Sequence, residues 1–142
     1  MRETLKVDLN AAVDEIRRTV PDVQAIYVFG SVATGHDRPG SDVDLAILGR
    51  RQLEAELRWQ LQERIAALLG RDVDLLDLWA ASTVMRVQVL QTGRVLFESD
   101  ATGRALFEAT ALGAYARLNR SRAGILEDVK SRGSVHGGRV GG

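Results

Sequence analysis

Apolar positions along the chain change period several times, and each change marks an element. Leu9, Ala12, Val13, Ile16 and Val20 recur at helical spacing, with Asp8 placed to cap the helix and Pro21 to stop it. Residues 24–29, rich in β-branched and aromatic side chains, predict a first strand that Gly30 breaks. The following segment is polar and carries Gly35, Pro39 and Gly40. Residues 43–48 predict a second strand, ended by Gly49. Leu53, Leu57, Leu61, Ile65, Leu68 and Leu69 return to helical spacing, and Gly70 is placed to end that helix. Glu54 stands four residues before Arg58, the spacing of a solvent-side ion pair. Residues 73–78 predict a third strand, 80–91 a helix and 94–98 a short fourth strand. A long helix is predicted from about Asp100 to about Lys130, with a stripe of Phe107, Ala111, Ala114, Leu118, Ile125 and Val129. The segment Ser131–Gly142 holds five glycines and almost no apolar anchor, so a disordered tail is expected there.

Strands alternate with helices, yet a turn rather than a crossover helix joins the first two strands. That predicts an α/β (α+β) fold, a small mixed β-sheet flanked by helices with a long C-terminal helix. A chain of 142 residues suits one core better than two, and no internal repeat is present.

Charge narrows the function classes. The 19 basic and 19 acidic side chains cancel, so there is no general polyanion-binding surface, and direct nucleic-acid binding is not expected. A mild segregation remains: residues 100–142 carry 7 basic and 4 acidic groups. The absence of cysteine excludes disulfides, thiolate catalysis and cysteine-ligated zinc. Neither a signal core at the N-terminus nor an apolar run of ~20 residues is present, so a cytoplasmic protein without membrane association is expected. His36 and His136 lie in polar segments and are expected in solvent. Trp59, Trp79, Tyr27 and Tyr115 are expected in the core or at an interface rather than stacking on bases.

The candidate chemistry sits between the first two strands. In a strand, residues i and i+2 share a face, so Asp42 and Asp44 are neighbours with Cα atoms roughly 6–7 Å apart. Two such carboxylates repel unless a cation lies between them, and Mg²⁺ takes oxygen ligands of this kind. Asp74 is the first choice for a third acid, because it lies in the next strand with apolar residues on both sides. Asp72 and Asp77 are the alternatives. Gly30 follows a strand, where a missing side chain lets backbone approach a phosphate. Ser31 opens the next turn and supplies hydroxyl and N–H donors. No Walker lysine follows, so this is not a P-loop. Arg38 could help neutralise a triphosphate, but a solvated arginine is the simpler and preferred reading.

Gly30-Ser31, the Asp42-Val43-Asp44 motif ten residues further on, and the run Arg71-Asp72-Val73-Asp74-Leu75-Leu76-Asp77 together resemble a minimal nucleotidyltransferase (MNT) of the DNA polymerase β-type superfamily. The resemblance covers roughly residues 8–98 as the catalytic core. With a C-terminal helix at about 100–130, it implies a single nucleotidyltransferase domain over residues 1–130. It implies that Asp42, Asp44 and Asp74 hold two Mg²⁺ ions and act in catalysis, and that Gly30 and Ser31 bind the triphosphate of ATP. It further implies an antitoxin that transfers AMP to a tyrosine of a partner HEPN-domain ribonuclease toxin and forms a hetero-oligomer with it. A core this short shows no obvious second domain to hold an acceptor, so a protein partner is expected to supply it. The apolar stripe of the last helix could dock that partner, or could pack on the chain's own sheet. Two rivals remain at this level: a small-molecule acceptor such as an aminoglycoside, and an antitoxin that works by binding alone.

Overall fold

The computed structural model describes residues 8–36, 38 and 40–131, with side chains through Arg122. The expectations for the tail beyond Ser131 and for His136 lie outside the described residues. Asp8 accepts a hydrogen bond from the Ala11 amide at 3.1 Å and starts helix α1 (Leu9–Thr19). Strand β1 (Ala25–Phe29) runs straight into a one-turn helix, α2 (Gly30–Thr34). Then follow β2 (Val43–Leu48), α3 (Ala55–Leu69), β3 (Val73–Asp77), α4 (Thr83–Thr92), β4 (Arg94–Glu98) and α5 (Ala101–Ser131).

The strands form one four-stranded sheet in the order β3-β2-β1-β4. β1 pairs antiparallel with β2 and with β4, and β2 pairs parallel with β3, so the sheet is mixed as the short first connection required. The two central strands are buried on both faces, which explains their nearly unbroken apolar runs. Val43, Leu45 and Ile47 join Ile26 and Val28 on one face, under Ile16 of α1 and Leu61 and Ile65 of α3. Tyr27, Phe29, Ala46 and Leu48 line the other face, under Val89 of α4 and Phe107 of α5. Along β4 the register slips between Ile26 and Tyr27, a bulge of the kind that twists an edge strand out of a flat pairing geometry.

The outer edge of β3 is covered differently, and here one sequence expectation fails. Arg58 does not reach for Glu54. Its guanidinium donates to the Leu75 carbonyl at 3.0 Å and to Gln62 Oε1 at 3.4 Å, while Gln62 Oε1 accepts the Leu75 amide at 2.9 Å. Two side chains of α3 thus satisfy the edge backbone where a further strand would pair. Burying two otherwise unmatched backbone groups outweighs an exposed ion pair worth a few tenths of a kcal/mol, ~0.3–0.5 by helical spacing.

Asp77 explains two boundary shifts. It is 3% exposed, and its two oxygens accept the Leu53 amide at 2.7 Å and the Trp79 amide at 2.9 Å. Leu53 is therefore held outside α3, and residues 79–81 turn back on β3 before Ser82 caps α4 through the Met85 amide. Of the aromatic residues, Tyr27 is in the core as expected, whereas Trp59 is 54% exposed on α3.

The stripe of α5 divides. Phe107 and Ala111 are buried, Phe107 in the cluster with the sheet residues Tyr27 and Phe29, and Phe107 meets the Trp79 ring edge-on at 5.1 Å. Beyond them, Leu112 and Leu118 are exposed. A polar lock holds the packed part: the Tyr27 hydroxyl donates to Glu108 Oε2 at 2.9 Å, and Arg104 pairs with both Glu108 and Glu98.

Candidate active site

The carboxylates meet on the sheet face that carries α4 and α5. Parallel register sets Asp44 of β2 directly beside Asp74 of β3, on strands about 4.8 Å apart. Antiparallel register sets Asp44 opposite Phe29, the last residue of β1, so the chain turns into α2 immediately above it. Asp42 precedes β2 and is exposed, as is Asp74; Asp44 is half-buried. Burial first, then the charges of Asp74 and Asp42, push the Asp44 carboxyl above the usual carboxylate range.

The competitors for the third position separate cleanly. Asp77 faces the opposite layer and is committed to two backbone amides. Asp72 lies at the outer start of β3, where its carbonyl accepts the Val43 amide at 2.9 Å. Asp74 is the one whose register brings it beside Asp44.

Gly30 has φ +72°, a conformation that favours glycine. A Cβ there would overlap Asp44 Oδ2, so the backbone approaches the carboxylate as only glycine allows. Ser31 follows in the first turn of α2, half-buried. The first turn of a helix leaves N–H groups without intrahelical partners, and here they adjoin the carboxylate cluster. Thr34 closes α2 by donating to the Gly30 carbonyl at 3.2 Å. Arg38 and His36 are exposed.

No three carboxylate or imidazole groups among the described residues stand close enough to form a ready-made metal cage. A magnesium site open to substrate draws its remaining ligands from water and phosphate. The all-oxygen donor set, with one carboxyl already strained toward protonation, fits a hard divalent cation and not zinc.

One residue escaped attention as a site element: Arg71. Its guanidinium donates to the Ser41 carbonyl at 2.7 and 3.1 Å and to the Arg38 carbonyl at 3.2 Å. The only signal in the sequence was an arginine directly beside an acid-bearing strand.

Residues 12–102 match the family described as polymerase beta, nucleotidyltransferase. The chain belongs to that family. Among relatives of this nucleotidyltransferase, the protein adenylyltransferase MntA of Shewanella oneidensis is 34% identical over 120 residues, covering 84% of this chain and 86% of MntA. A solved toxin–antitoxin structure with AMP-PNP matches with a TM-score of 0.78 and 35% identity, covering 87% of this chain and 99% of that one. A complex of a tri-AMPylated Shewanella oneidensis HEPN toxin with its MNT antitoxin matches with a TM-score of 0.70 and 34% identity, covering 85% of this chain and 94% of that one. Both matches run beyond the sheet into α5. No helix among the described residues is long and apolar enough to cross a membrane.

Proposed function

We propose that the chain is a protein adenylyltransferase antitoxin that transfers AMP from ATP to a tyrosine of a partner HEPN toxin and so neutralises it. The observation that carries this reading is the match, along 85% of the chain, to the antitoxin seen with an AMPylated HEPN toxin. The local geometry agrees with the chemistry. A glycine turn and helix start that suit a triphosphate lie directly over a carboxylate pair in parallel register.

In the reaction, the acceptor hydroxyl gives up its proton to solvent and its oxygen forms a bond to the α-phosphorus of ATP. The bond from that phosphorus to the pyrophosphate oxygen breaks, and its electron pair leaves with pyrophosphate. Gly30 keeps the backbone close enough for the N–H groups of α2 to meet the phosphates. Ser31 adds a hydroxyl donor. Asp42, Asp44 and Asp74 would hold Mg²⁺. When bound, such ions neutralise the triphosphate and stabilise the attacking and leaving oxygens. Asp44, fixed between β1 and β3, sets the position of the cluster, while exposed Asp42 and Asp74 flank it toward solvent. The chain's own contribution is positioning and charge complementarity. Residues 1–130 act as the single catalytic domain, in the cytoplasm, where ATP is plentiful.

Co-expression with the partner toxin followed by intact mass spectrometry tests the reading. AMP increments on the toxin with wild type, and none with Asp42→Asn, are expected. An unmodified toxin that binds both forms equally would replace it with neutralisation by binding alone. A nucleotidylated small molecule in place of a modified toxin would move the acceptor.

A further inference from the structure

Asp42 is the cluster member that the sheet does not hold. β2 begins at Val43, and the pairing with β1 ends at Phe29 with Asp44. The conformation of a residue is set by the two peptide planes that flank it. On one side of Asp42 is the Ser41 carbonyl, which takes two hydrogen bonds from the Arg71 guanidinium at 2.7 and 3.1 Å. On the other is the Val43 amide, which donates to the Asp72 carbonyl at 2.9 Å. Both planes are thus tied to consecutive residues of one segment, the segment that leads directly to Asp74.

Local structure aims Arg71 at this task. α3 ends on Gly70 at φ +67°, and the amides of Gly70 and Arg71 both return to the Ala66 carbonyl, at 2.9 and 3.3 Å. That helix end turns the chain so that Arg71 reaches across to residues 38–41. There the guanidinium also takes the Arg38 carbonyl at 3.2 Å, which itself accepts the Ser41 amide at 3.0 Å. The planar, multi-donor guanidinium suits two carbonyls at once in a way an ammonium does not.

We infer that Arg71 is a positioning residue for the transfer reaction: through the Ser41 and Arg38 carbonyls it fixes Asp42 relative to Asp74 and Asp44. The inference rests on the reading of these three acids as a metal-binding cluster. The role of Arg71 is exerted through the loop carbonyls it holds.

The test uses the full chain with Mn²⁺ as a spectroscopic probe, bound ion being counted by electron paramagnetic resonance, and needs no turnover. Arg71→Ala is expected to weaken Mn²⁺ binding by about 10-fold or more, the usual effect of losing a partner that orients a ligand. Arg71→Lys is expected to recover part of that loss. Hydrogen exchange should quicken at residues 41–43 in Arg71→Ala and stay slow at 26–28. Arg58→Ala is the comparison, since Arg58 also grips a carbonyl of the β3 segment but at Leu75, away from Asp42. It is expected to lower thermal stability while leaving Mn²⁺ affinity unchanged. Wild-type Mn²⁺ affinity in Arg71→Ala, alongside lost affinity in Asp42→Asn, overturns the inference alone. Wild-type affinity in Asp42→Asn overturns the metal reading and the inference with it. Equal loss in Arg71→Ala and Arg58→Ala would show general loosening of β3 and overturn the specific role.

Discussion

Gly30 and Asp44 are in contact across the β1–β2 pair, backbone against carboxylate, with no room between them for a methyl group. The turn that would receive a triphosphate and the acid at the centre of the cluster are therefore one packed unit. Gly30→Ala meets two obstacles at once: a φ of +72° and an overlap with Asp44 Oδ2. Stability should fall by about 1–3 kcal/mol. Transfer should fall by about 100-fold, because displacing a reacting group by about an ångström has that effect. A double-mutant cycle with Asp44→Ala separates the causes. The overlap should vanish in that background and the φ strain should persist, so the stability loss should shrink without disappearing. An additive cycle would mean that the contact carries no energy.

Asp44 should show activity and stability moving in opposite directions. Burial and two neighbouring carboxylates make the folded chain hold its proton more tightly than the unfolded chain does. Its contribution to stability is thus full below the ordinary carboxylate pKa and is lost as pH rises through the raised one. At neutral pH without metal, ionised Asp44 is a strained charge, and Asn removes it. Metal-free Asp44→Asn is expected to melt above wild type at pH 7, with the gap closing toward pH 3–4 where the wild-type acid is protonated. AMP transfer should disappear. A melting point below wild type at pH 7 would show that the carboxylate is held by partners rather than strained by neighbours.

Much of this was readable in the sequence for a physical reason. Val43–Leu48 is apolar because β2 is buried on both faces, so a single acid such as Asp44 at its start stands out against its surroundings. Asp74 stood out because apolar residues flank it in the sequence, although β3 is an edge strand with that face open, and parallel register sets it beside Asp44. Asp77 was offered only as an alternative to Asp74, and its work was hidden. A carboxylate that accepts backbone amides from Leu53 and Trp79 has no signature in a string of residues, since its partners lie far along the chain in one case and in a turn in the other. Arg58 and Arg71 were hidden likewise. Spacing offered Glu54 as a partner for Arg58, and only the fold reveals an exposed strand edge that needs a donor.

Tyr27 gives the protein an alkaline limit. Burial first, then the hydrogen bond to Glu108 and its charge, raise the phenol above its ordinary value of 10.0. Stability from this group is full below pH 10 and is lost as pH rises, because the unfolded chain ionises first. Wild type should therefore lose stability steeply above about pH 10. Tyr27→Phe should flatten that part of the profile and cost about 1–2 kcal/mol at neutral pH, the worth of a hydrogen bond to a charged acceptor that keeps Arg104 as a partner. An unchanged alkaline slope in Tyr27→Phe would assign the loss to other groups.

The division of α5 settles how the two readings of its stripe should be tested. Phe107 packs on the chain's own sheet with Ala111 buried beside it on the helix, and Arg104, Glu108 and Tyr27 lock that part of α5 in place. Leu112 and Leu118, at 45% and 36% exposure, have no such cover. The first three turns of α5 therefore belong to the fold, and the exposed Leu112 and Leu118 beyond them are open to a partner. Truncation after Arg120 removes no residue of either core cluster, so the melting temperature should change by less than about 4 °C, the equivalent of roughly 1 kcal/mol or less in a domain of this size. Co-purification with the toxin should weaken, and Leu118→Asp in the full chain should weaken it too while leaving the fold intact. If truncation unfolds the chain, the distal half packs on the sheet after all. If truncation and Leu118→Asp both leave toxin binding unchanged, the partner docks elsewhere, and the distal half of α5 is a solvated extension whose apolar positions do no recognition.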